Sequence, residues 1–243
     1  MIKEIEKSII NANLEILDYF EKSLKKEDFS YSNQIGFGGD NSLKIDLIFE
    51  DIFIKNLKDF GNIFSEECGF IDFKKEFTFI IDPLDGSNNF SSNIPYFGTS
   101  VAVKKGEEII AGFVCNLANK TLVYRVLDED IKYFCLNSKK YIEKIFLEDS
   151  KVAIFERAYD YPEVSKVLKD NKIKFRSLGA TALSLANAKD YKFVLFIGDL
   201  REFDLAAGMF ISKDLFILKD KNSLFLSKYE DVFLHFKEII KDF

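Results

Sequence analysis

The sequence has little of the side-chain chemistry that cysteine, histidine and tryptophan provide. Its 243 residues include three cysteines, one histidine, no tryptophan and three prolines. Cys68, Cys115 and Cys135 are odd in number and form no CxxC pair, so the sequence predicts neither a disulfide framework nor a zinc site. Free thiols are typical of a reducing compartment, which favours a cytoplasmic location.

Long apolar runs and long blocks of one charge are also missing. No stretch reaches the roughly 18 consecutive apolar residues that predict a membrane span, and the N-terminus alternates charged and apolar residues at helical spacing. We therefore expect neither secretion nor a membrane partner. Lys plus Arg is 34 and Asp plus Glu is 40, a net charge of −6, which gives no electrostatic argument for nucleic acid as the main partner.

What the sequence does contain is enough apolar material for a buried core. Hydrophobic residues make up 47% of the chain, and no stretch rich in Pro, Gly or Ser divides it into independent units. Length and composition therefore predict one compact globular body.

The first half of the chain shows helical and then β-type periodicity. Apolar residues recur at helical spacing over 2–24 and 43–57, which predicts two amphipathic helices. The Ser-, Asn- and Gly-rich stretch 30–42 between them is typical of a loop. The run FTFII at 77–81 predicts a buried strand, and β-type runs at hairpin spacing over 97–137 predict an antiparallel sheet.

From about residue 151 onward, strand and helix patterns alternate. Strands are predicted at 151–157, 172–177 and 192–198, and helices at 162–170, 179–188, 203–211 and from about 229. We therefore expect an N-terminal α+β subdomain over residues 1–148 and a C-terminal α/β subdomain over residues 149–243, with the functional site between them.

The most informative segment is IIDPLDGSNNF at residues 80–90. Asp82 and Asp85 flank a proline-stiffened turn after the predicted strand, so both carboxylates can point to one place. Gly86 permits a close backbone approach, and N–H groups from Ser87 onward can bind an anion. Carboxylates beside such an anion cradle suggest Mg²⁺ that joins the protein to a phosphate. By itself, DPLDG is equally typical of an ordinary surface turn.

Three further acidic features lie elsewhere in the sequence. Asp46 falls in the second predicted helix, Glu66-Glu67 ends the short strand-like run NIFSEEC, and Asp204 begins the helix FDLAAG. Each by itself is more typical of a solvated surface or of a helix N-cap. Only their combination with the segment 80–90 points to a shared site.

Taken together and in order, these segments resemble the inositol monophosphatase family of the magnesium-dependent, lithium-sensitive sugar phosphatase superfamily. The matching segments are GDNSLKID (39–46), SEE (65–67), DPLDGSNNF (82–90), RSLGATALSLA (176–186) and FDLAAG (203–208). The resemblance implies a layered αβαβα sugar-phosphatase fold of the fructose-1,6-bisphosphatase type, with an antiparallel sheet in the first half and a mixed sheet in the second. It also implies two or three Mg²⁺ ions, inhibition by Li⁺ and a homodimer.

The resemblance assigns the metal ligands position by position. It implies that Glu66, Asp82 and the backbone carbonyl of Leu84 hold one Mg²⁺ ion. A second ion would bind Asp82, Asp85 and Asp204, so that Asp82 serves both. Clustered carboxylates raise one another's pKa unless cations compensate, so metal binding should order such a site.

The resemblance also assigns the residues that act on the substrate. Asp46, Glu66 and Ser87, which stands where the family commonly has threonine, would orient and deprotonate the attacking water. The implied substrate-binding positions are Asp85, Gly86, Ser87, Gly179, Ala180, Thr181 and Arg201. Of these, residues 86–87 would bind the phosphate through backbone N–H groups, and residues 179–181 would line the alcohol side of the pocket.

Three positions near the last metal ligand bear on specificity. Phe203 replaces the family's usual tryptophan, and Ile197 stands where inositol-binding members carry a glutamate, which weakens the case for an inositol phosphate. Arg201 could meet a second phosphate or a carboxylate at the pocket rim, because its guanidinium suits bidentate contacts with oxyanions. The alternative is a structural or solvated arginine.

The function predicted from the sequence is hydrolysis of a small phosphorylated metabolite by a Mg²⁺-dependent phosphomonoesterase. A polyol or sugar phosphate such as inositol 1-phosphate is favoured, with fructose 1,6-bisphosphate and 3′-phosphoadenosine 5′-phosphate as alternatives. A second class of function is a non-catalytic binding or regulatory protein on the same fold. A structural Ca²⁺ site fits less well, because the acidic residues are scattered along the chain instead of closely spaced.

Overall fold

The structure is a computed structural model, and it describes residues 1–240 of the chain. The described residues form seven α-helices: α1 (Ile2–Lys22), α2 (Lys44–Leu57), α3 (Ser87–Ser91), α4 (Pro162–Asp170), α5 (Thr181–Ala186), α6 (Glu202–Ile211) and α7 (Glu230–Ile240). Short 3₁₀ helices span Lys26–Phe29 and Ala188–Asp190. Within this range no helix combines the length and the hydrophobicity needed to span a bilayer.

The described residues also form fifteen strands in three sheets. The strands are β1 (Tyr31–Ile35), β2 (Asn41–Leu43), β3 (Gly61–Ser65), β4 (Gly69–Ile71), β5 (Phe77–Asp85), β6 (Gly98–Lys105), β7 (Glu108–Asn116), β8 (Thr121–Val126), β9 (Lys132–Cys135), β10 (Lys140–Tyr141), β11 (Ala153–Glu156), β12 (Phe175–Arg176), β13 (Val194–Ile197), β14 (Phe216–Lys219) and β15 (Ser223–Ser227). β1 and β2 form a separate antiparallel pair, and the other strands form sheets of eight and five.

The larger sheet has the order β10-β9-β8-β7-β6-β5-β3-β4. All neighbours from β5 to β10 are antiparallel, as the hairpin spacing predicts. β3 and β5 are instead parallel and end at the same edge of the sheet. This parallel pair, which the sequence pattern does not predict, brings the acidic segment after β3 beside the one after β5.

The smaller sheet is mixed, as predicted for the second half of the chain. Its order is β12-β11-β13-β15-β14, with β11 parallel to both β12 and β13 and the remaining pairs antiparallel. The strand predicted at 172–177 is reduced to Phe175–Arg176. The helix predicted from about 229 begins at Glu230, and residues 241–243 lie outside the described residues.

Helices cover both faces of both sheets and give five layers. α1 and α2 pack on one face of the larger sheet, where Phe49 is fully buried. α5 and α6 lie between the sheets, with Ala207 packed towards the larger sheet and Leu205 towards the smaller one. Val164 of α4 and Phe236 of α7 pack on the outer face of the smaller sheet. The predicted layered αβαβα fold is therefore confirmed.

Most of the stretch 30–42, predicted as a loop, forms the hairpin of β1 and β2. Most of its residues are polar or glycine, and its few apolar side chains, Tyr31, Ile35 and Phe37, are exposed, so it lacks the regular apolar alternation that predicts a half-buried strand. The turn between the strands lies against the end of β3, because the N–H groups of Phe37 and Gly38 donate to the carbonyls of Glu67 and Glu66 at 3.0 and 2.8 Å. This contact places Asp40 next to the acidic segment after β3.

Candidate active site

The parallel pairing of β3 and β5 brings two acidic residues together. Ser65 is the register partner of Ile81, so Glu66 and Asp82 follow at adjacent strand ends. The N–H of Glu66 donates to the carbonyl of Ile81 at 3.0 Å, which extends the pairing by one residue. Asp82 is buried and Glu66 is half-buried. Two carboxylates separated by fifteen residues of chain thus become neighbours.

The first turn of α6 adds a third carboxylate. Phe203 packs its ring on Phe64, with centroids 4.7 Å apart, and this contact places the buried Asp204 over the same strand ends. Carboxylate oxygens of Glu66, Asp82 and Asp204 lie within 4.8 Å of one another. Phe203 therefore makes an aromatic contact at the position where the family usually has tryptophan. These three carboxylates form a candidate metal centre.

The turn after Asp82 is held by hydrogen bonds from both halves of the chain. Asp82 Oδ1 accepts from the N–H of Leu84 at 2.9 Å, and the pairing of β5 with β6 is irregular between Asp82 and Asp85. Asp85 Oδ2 accepts from the N–H of Leu183 at 2.9 Å. Because Leu183 is the third residue of α5, and Ala180 at the N-cap has no polar side chain, Asp85 satisfies a donor that the helix start leaves free.

Asp46 occupies the third position of α2 and is almost fully buried. Its Oδ2 accepts from the N–H of Leu43 at 2.7 Å, which satisfies a donor at the helix start. Its Oδ1 is buried and has no hydrogen-bond partner among the described residues. A buried carboxylate oxygen without a partner is costly. This oxygen is therefore suited to accept a hydrogen bond from a water molecule in the site.

Burial raises the pKa of all five acidic residues that the sequence analysis assigned to the site. It raises the pKa of Asp46 to about 8 and that of Glu66 to about 7. For Asp82 and Asp85, burial is again the largest cause, and neighbouring carboxylates raise the pKa further, well above the usual range. The pKa of Asp204 is also raised by burial. All of these groups can be ionised together only if cations compensate their charge.

These residues fit a divalent cation such as Mg²⁺. Every donor is an oxygen, and three of the carboxylates lie close enough to share one ion. Asp46 is near enough to Glu66 and Glu67 for their charges to raise its pKa, so its free Oδ1 belongs to the same polar region. The donor set excludes a soft-ligand site, since the cluster contains neither cysteine nor histidine.

Arg201, predicted at the pocket rim, lies directly among the acidic residues. It forms ion pairs with Asp40, Glu66 and Asp204. Burial by itself would lower the pKa of Arg201, but the surrounding carboxylates raise it, so the guanidinium remains charged. A contact between Arg201 and substrate stays a prediction.

The glycine turn before α3 lies against the segment predicted to line the alcohol side of the pocket. Gly86 has φ +87°, and a Cβ there would lie 3.0 Å from the Cβ of Ala180, so only glycine fits without strain. Asn89 Nδ2 donates to the carbonyl of Leu178 at 2.7 Å. The half-buried Ser87 therefore begins α3 beside the segment that contains Gly179, Ala180 and Thr181, so five of the predicted substrate-binding positions, residues 86–87 and 179–181, lie together.

Glu156 is a buried acidic residue that the sequence analysis does not single out. It ends β11, and its two oxygens accept from the N–H of Gly179 at 2.8 Å and from Ser184 Oγ at 2.5 Å. Burial raises its pKa, although these donors oppose the shift. Glu156 thus holds the pocket-lining segment in place. A charged residue at the carboxyl end of the apolar run KVAIFE is the sequence signal that points to it.

Ile197 lies away from the acidic cluster. It ends β13, pairs with Ser223 and is only 2% exposed, in the core formed with α4 and α7. It therefore offers neither a polar group nor an accessible side chain to a substrate.

An acidic centre suited to a metal ion, beside a glycine turn at a helix start and held within a five-layer fold, points to the class of phosphatases. Comparison with known proteins agrees with this class. The profile of the inositol monophosphatase family matches residues 2–215, which contain every acidic residue of the site. This chain belongs to the inositol monophosphatase family, and it is a phosphoric monoester hydrolase.

Individual relatives match most of the chain. A fructose-1,6-bisphosphatase/inositol-1-monophosphatase of Methanocaldococcus jannaschii is 34% identical over 217 residues, which cover 87% of this chain and 79% of the relative. A fructose-1,6-bisphosphatase of Pyrococcus furiosus is 32% identical over 191 residues, covering 74% and 70%. A solved inositol monophosphatase-fructose 1,6-bisphosphatase superposes with a TM-score of 0.76 at 26% identity and covers 98% of both chains. The resemblance inferred from the sequence motifs is therefore confirmed.

Proposed function

We propose that this phosphatase depends on Mg²⁺ and hydrolyses the phosphate monoester of a small polyol or sugar. The observation that carries the proposal is the clustering of Glu66, Asp82 and Asp204 within 4.8 Å, at the start of the turn that leads into Gly86 and Ser87. Relatives named as fructose-1,6-bisphosphatases and inositol-1-monophosphatases support a phosphorylated sugar or polyol as the substrate class.

The acidic residues would divide into two overlapping ligand sets. Glu66, Asp82 and the carbonyl of Leu84 would hold one ion, while Asp82, Asp85 and Asp204 would hold another. Bound Mg²⁺ would supply the positive charge that activates a water molecule and stabilises the leaving oxygen. Asp82 would thus contribute a ligand to both ions.

The chain itself would orient the attacking water and the phosphate. Asp46 and Ser87, together with Glu66, would position the water and accept its proton. The buried Oδ1 of Asp46, which has no partner among the described residues, suits a group that accepts a hydrogen bond or a proton from this water. The N–H groups of Gly86 and Ser87 would bind the phosphate oxygens, since such groups at a helix start lack intrahelical partners.

The residues on the alcohol side would select the substrate. Gly179, Ala180 and Thr181 would line this side, held in place by Glu156. Ile197 is buried and apolar, so this position would give the site no binding preference for inositol 1-phosphate over fructose 1,6-bisphosphate or 3′-phosphoadenosine 5′-phosphate.

The test is phosphate release by the purified protein from a panel of phosphorylated sugars, inositols and 3′,5′-bisphosphonucleosides, with Mg²⁺ and with EDTA. We expect release that requires Mg²⁺ and favours one polyol or sugar phosphate. Release that continues in EDTA would exclude the metal-dependent mechanism. Selective release from a bisphosphonucleoside would exclude the sugar substrate.

Asp82→Asn separates catalysis from a binding role on the same fold. The change keeps the size of the side chain but weakens a ligand common to both ion sets, so we expect phosphate release to fall to the level seen in EDTA. Asp72→Asn, in the exposed segment before β5, is the matched control and should retain full activity. A cellular function that survives Asp82→Asn would support the binding or regulatory role instead.

Three finer statements complete the proposal. The two ligand sets are compatible with two or three Mg²⁺ ions, and the family resemblance supports a homodimer. The three free cysteines fit a cytoplasmic location. Metal analysis of the active protein, light scattering in solution and fractionation of cells would test these statements in turn.

A further inference from the structure

Arg201 contacts three acidic groups that come from three different parts of the fold. Its Nη1 lies 2.7 Å from Glu66 Oε1 after β3 and 2.8 Å from Asp40 Oδ2 in the hairpin turn. Its Nε lies 2.9 Å from Asp204 Oδ2, and its Nη2 lies 3.2 Å from Asp204 Oδ1. A single guanidinium therefore engages both oxygens of one carboxylate and one oxygen of each of the others.

Two of these three partners also belong to the candidate metal centre. Glu66 and Asp204 have carboxylate oxygens within 4.8 Å of each other and of Asp82. Two of the three carboxylates that an ion would use at this place are thus already paired with a positive charge. Among the described residues, Arg201 alone forms ion pairs with Glu66 and Asp204.

Arg201 and a divalent ion cannot both keep their full contacts with these oxygens. A guanidinium within hydrogen-bond distance of the shared carboxylates would lie within a few ångströms of the ion, where two like charges repel strongly in a partly buried site. Asp40 differs from the other two partners, because it is not a predicted ligand and its side chain is 81% exposed. It can therefore remain with Arg201 when the other two carboxylates turn to the metal.

We infer that Arg201 is an internal cation that competes with the metal for Glu66 and Asp204. In the metal-free protein it holds the carboxylates together, and on metal binding it gives up Glu66 and Asp204 and keeps Asp40. Arg201 is thus a positioning residue that lowers the metal affinity of the site. The inference rests on the proposed metal dependence, but it is measured by metal binding and by stability instead of by turnover.

The first measurement is Mn²⁺ binding, followed by the electron paramagnetic resonance signal of free Mn²⁺, for the wild type and two variants at a pH above 8. We expect Arg201→Gln to bind Mn²⁺ about tenfold more tightly than the wild type, which corresponds to about 1.4 kcal/mol. Arg157→Gln is the matched control, since Arg157 also pairs with an aspartate three residues later, Asp160, at 2.9 Å but touches no ligand. Its Mn²⁺ affinity should not change.

Arg201→Lys distinguishes loss of shared contacts from loss of charge. Lysine keeps the positive charge but has one nitrogen, so it cannot engage Asp40, Glu66 and both oxygens of Asp204 at once. We expect this variant to bind Mn²⁺ more tightly than the wild type as well. Wild-type affinity in Arg201→Lys, with tighter binding in Arg201→Gln, would show that the positive charge alone competes with the metal. Wild-type affinity in both variants would overturn the inference.

The second measurement is the melting temperature in EDTA and in saturating Mg²⁺. We expect Arg201→Gln to lower the melting temperature in EDTA and to regain most of the loss with Mg²⁺. If Arg201 had only a structural role, Arg201→Gln would lower the melting temperature equally in EDTA and in Mg²⁺ and would leave the Mn²⁺ affinity unchanged. That result would overturn the inference. If neither the wild type nor the variants bind Mn²⁺, the proposed metal dependence fails too. If all bind it equally, only the inference about Arg201 fails.

Discussion

Ser87 supplies a hydroxyl group at the start of α3, directly after the glycine of the turn. Threonine is common at this position in the family, and both side chains carry the hydroxyl that would orient the attacking water. Ser87→Ala should therefore lower kcat by about a hundredfold, the usual range for a lost acid-base contact, whereas Ser87→Thr should retain activity. Steady-state kinetics with the preferred substrate would measure both.

The matched control for this residue is Ser91→Ala in the same short helix. Ser91 Oγ donates to the carbonyl of Ser87 at 3.0 Å and faces solvent, so its loss should leave kcat unchanged. Equal losses in Ser87→Ala and Ser91→Ala would mean that the helix, and not the Ser87 hydroxyl, is responsible.

At the scale of elements, the turn between β5 and α3 depends on one glycine. Gly86→Ala would force a side chain into the left-handed region and bring its Cβ to 3.0 Å from the Cβ of Ala180 and from the carbonyl oxygen of Tyr96. We expect a loss of about 2 to 3 kcal/mol in the free energy of unfolding, from backbone strain and overlap together, and a higher KM because the turn shifts. Chemical denaturation and kinetics would measure these changes.

Gly106, in the turn between β6 and β7, provides the comparison. It also has a positive φ, +59°, but a Cβ there would meet nothing within 4 Å. Gly106→Ala should therefore lose only the strain contribution, about 1 kcal/mol, and keep its KM. A loss as large as that of Gly86→Ala would show that contact with the segment around Ala180 does not matter.

Local sequence explains why some elements were predictable and others were not. The run FTFII predicts β5 because its residues are apolar, aromatic and β-branched. The β1-β2 hairpin was not predicted because its strands are mostly polar and mostly exposed and pair only with each other. The parallel partner of β5 could not be predicted either, since hydrophobic periodicity identifies a strand but not its neighbour.

For the whole molecule, the acidic cluster should make the metal-free protein less stable as pH rises. Burial raises the pKa of Glu66 to about 7 and of Asp46 to about 8, above the roughly 4 expected in the unfolded chain. The folded state therefore binds more protons, and the stability from these groups, complete below about pH 4, is lost as pH rises through 7 and 8. Melting temperatures in EDTA should fall between about pH 6 and about pH 8.5.

Mg²⁺ should reverse this trend, because ionised carboxylates bind the metal and the affinity increases as protons leave. Asp46→Asn, measured in EDTA, is the control. It removes the carboxyl group whose pKa is about 8, so its melting temperature should decrease less than that of the wild type at the high end of this pH range. Metal-free melting temperatures that rise over the same pH range would contradict the assignment of these buried groups.

The sequence by itself determined the chemistry of the site and the type of most elements. DPLDGSNNF joins two carboxylates to a glycine turn at a helix start within nine residues, so this part of the site depends on local geometry alone. The resemblance carried by this and four other motifs predicted the family, and the family match confirms it.

Only the tertiary structure decided which distant residues meet. Parallel pairing of β3 with β5 places Glu66 beside Asp82, and the first turn of α6 adds Asp204. The same packing puts Arg201 among these carboxylates, where it had been expected at the rim of the pocket. Apart from the local pair of Arg201 and Asp204, these contacts join residues far apart in the chain, so they depend on how sheets and helices pack, which local periodicity does not encode.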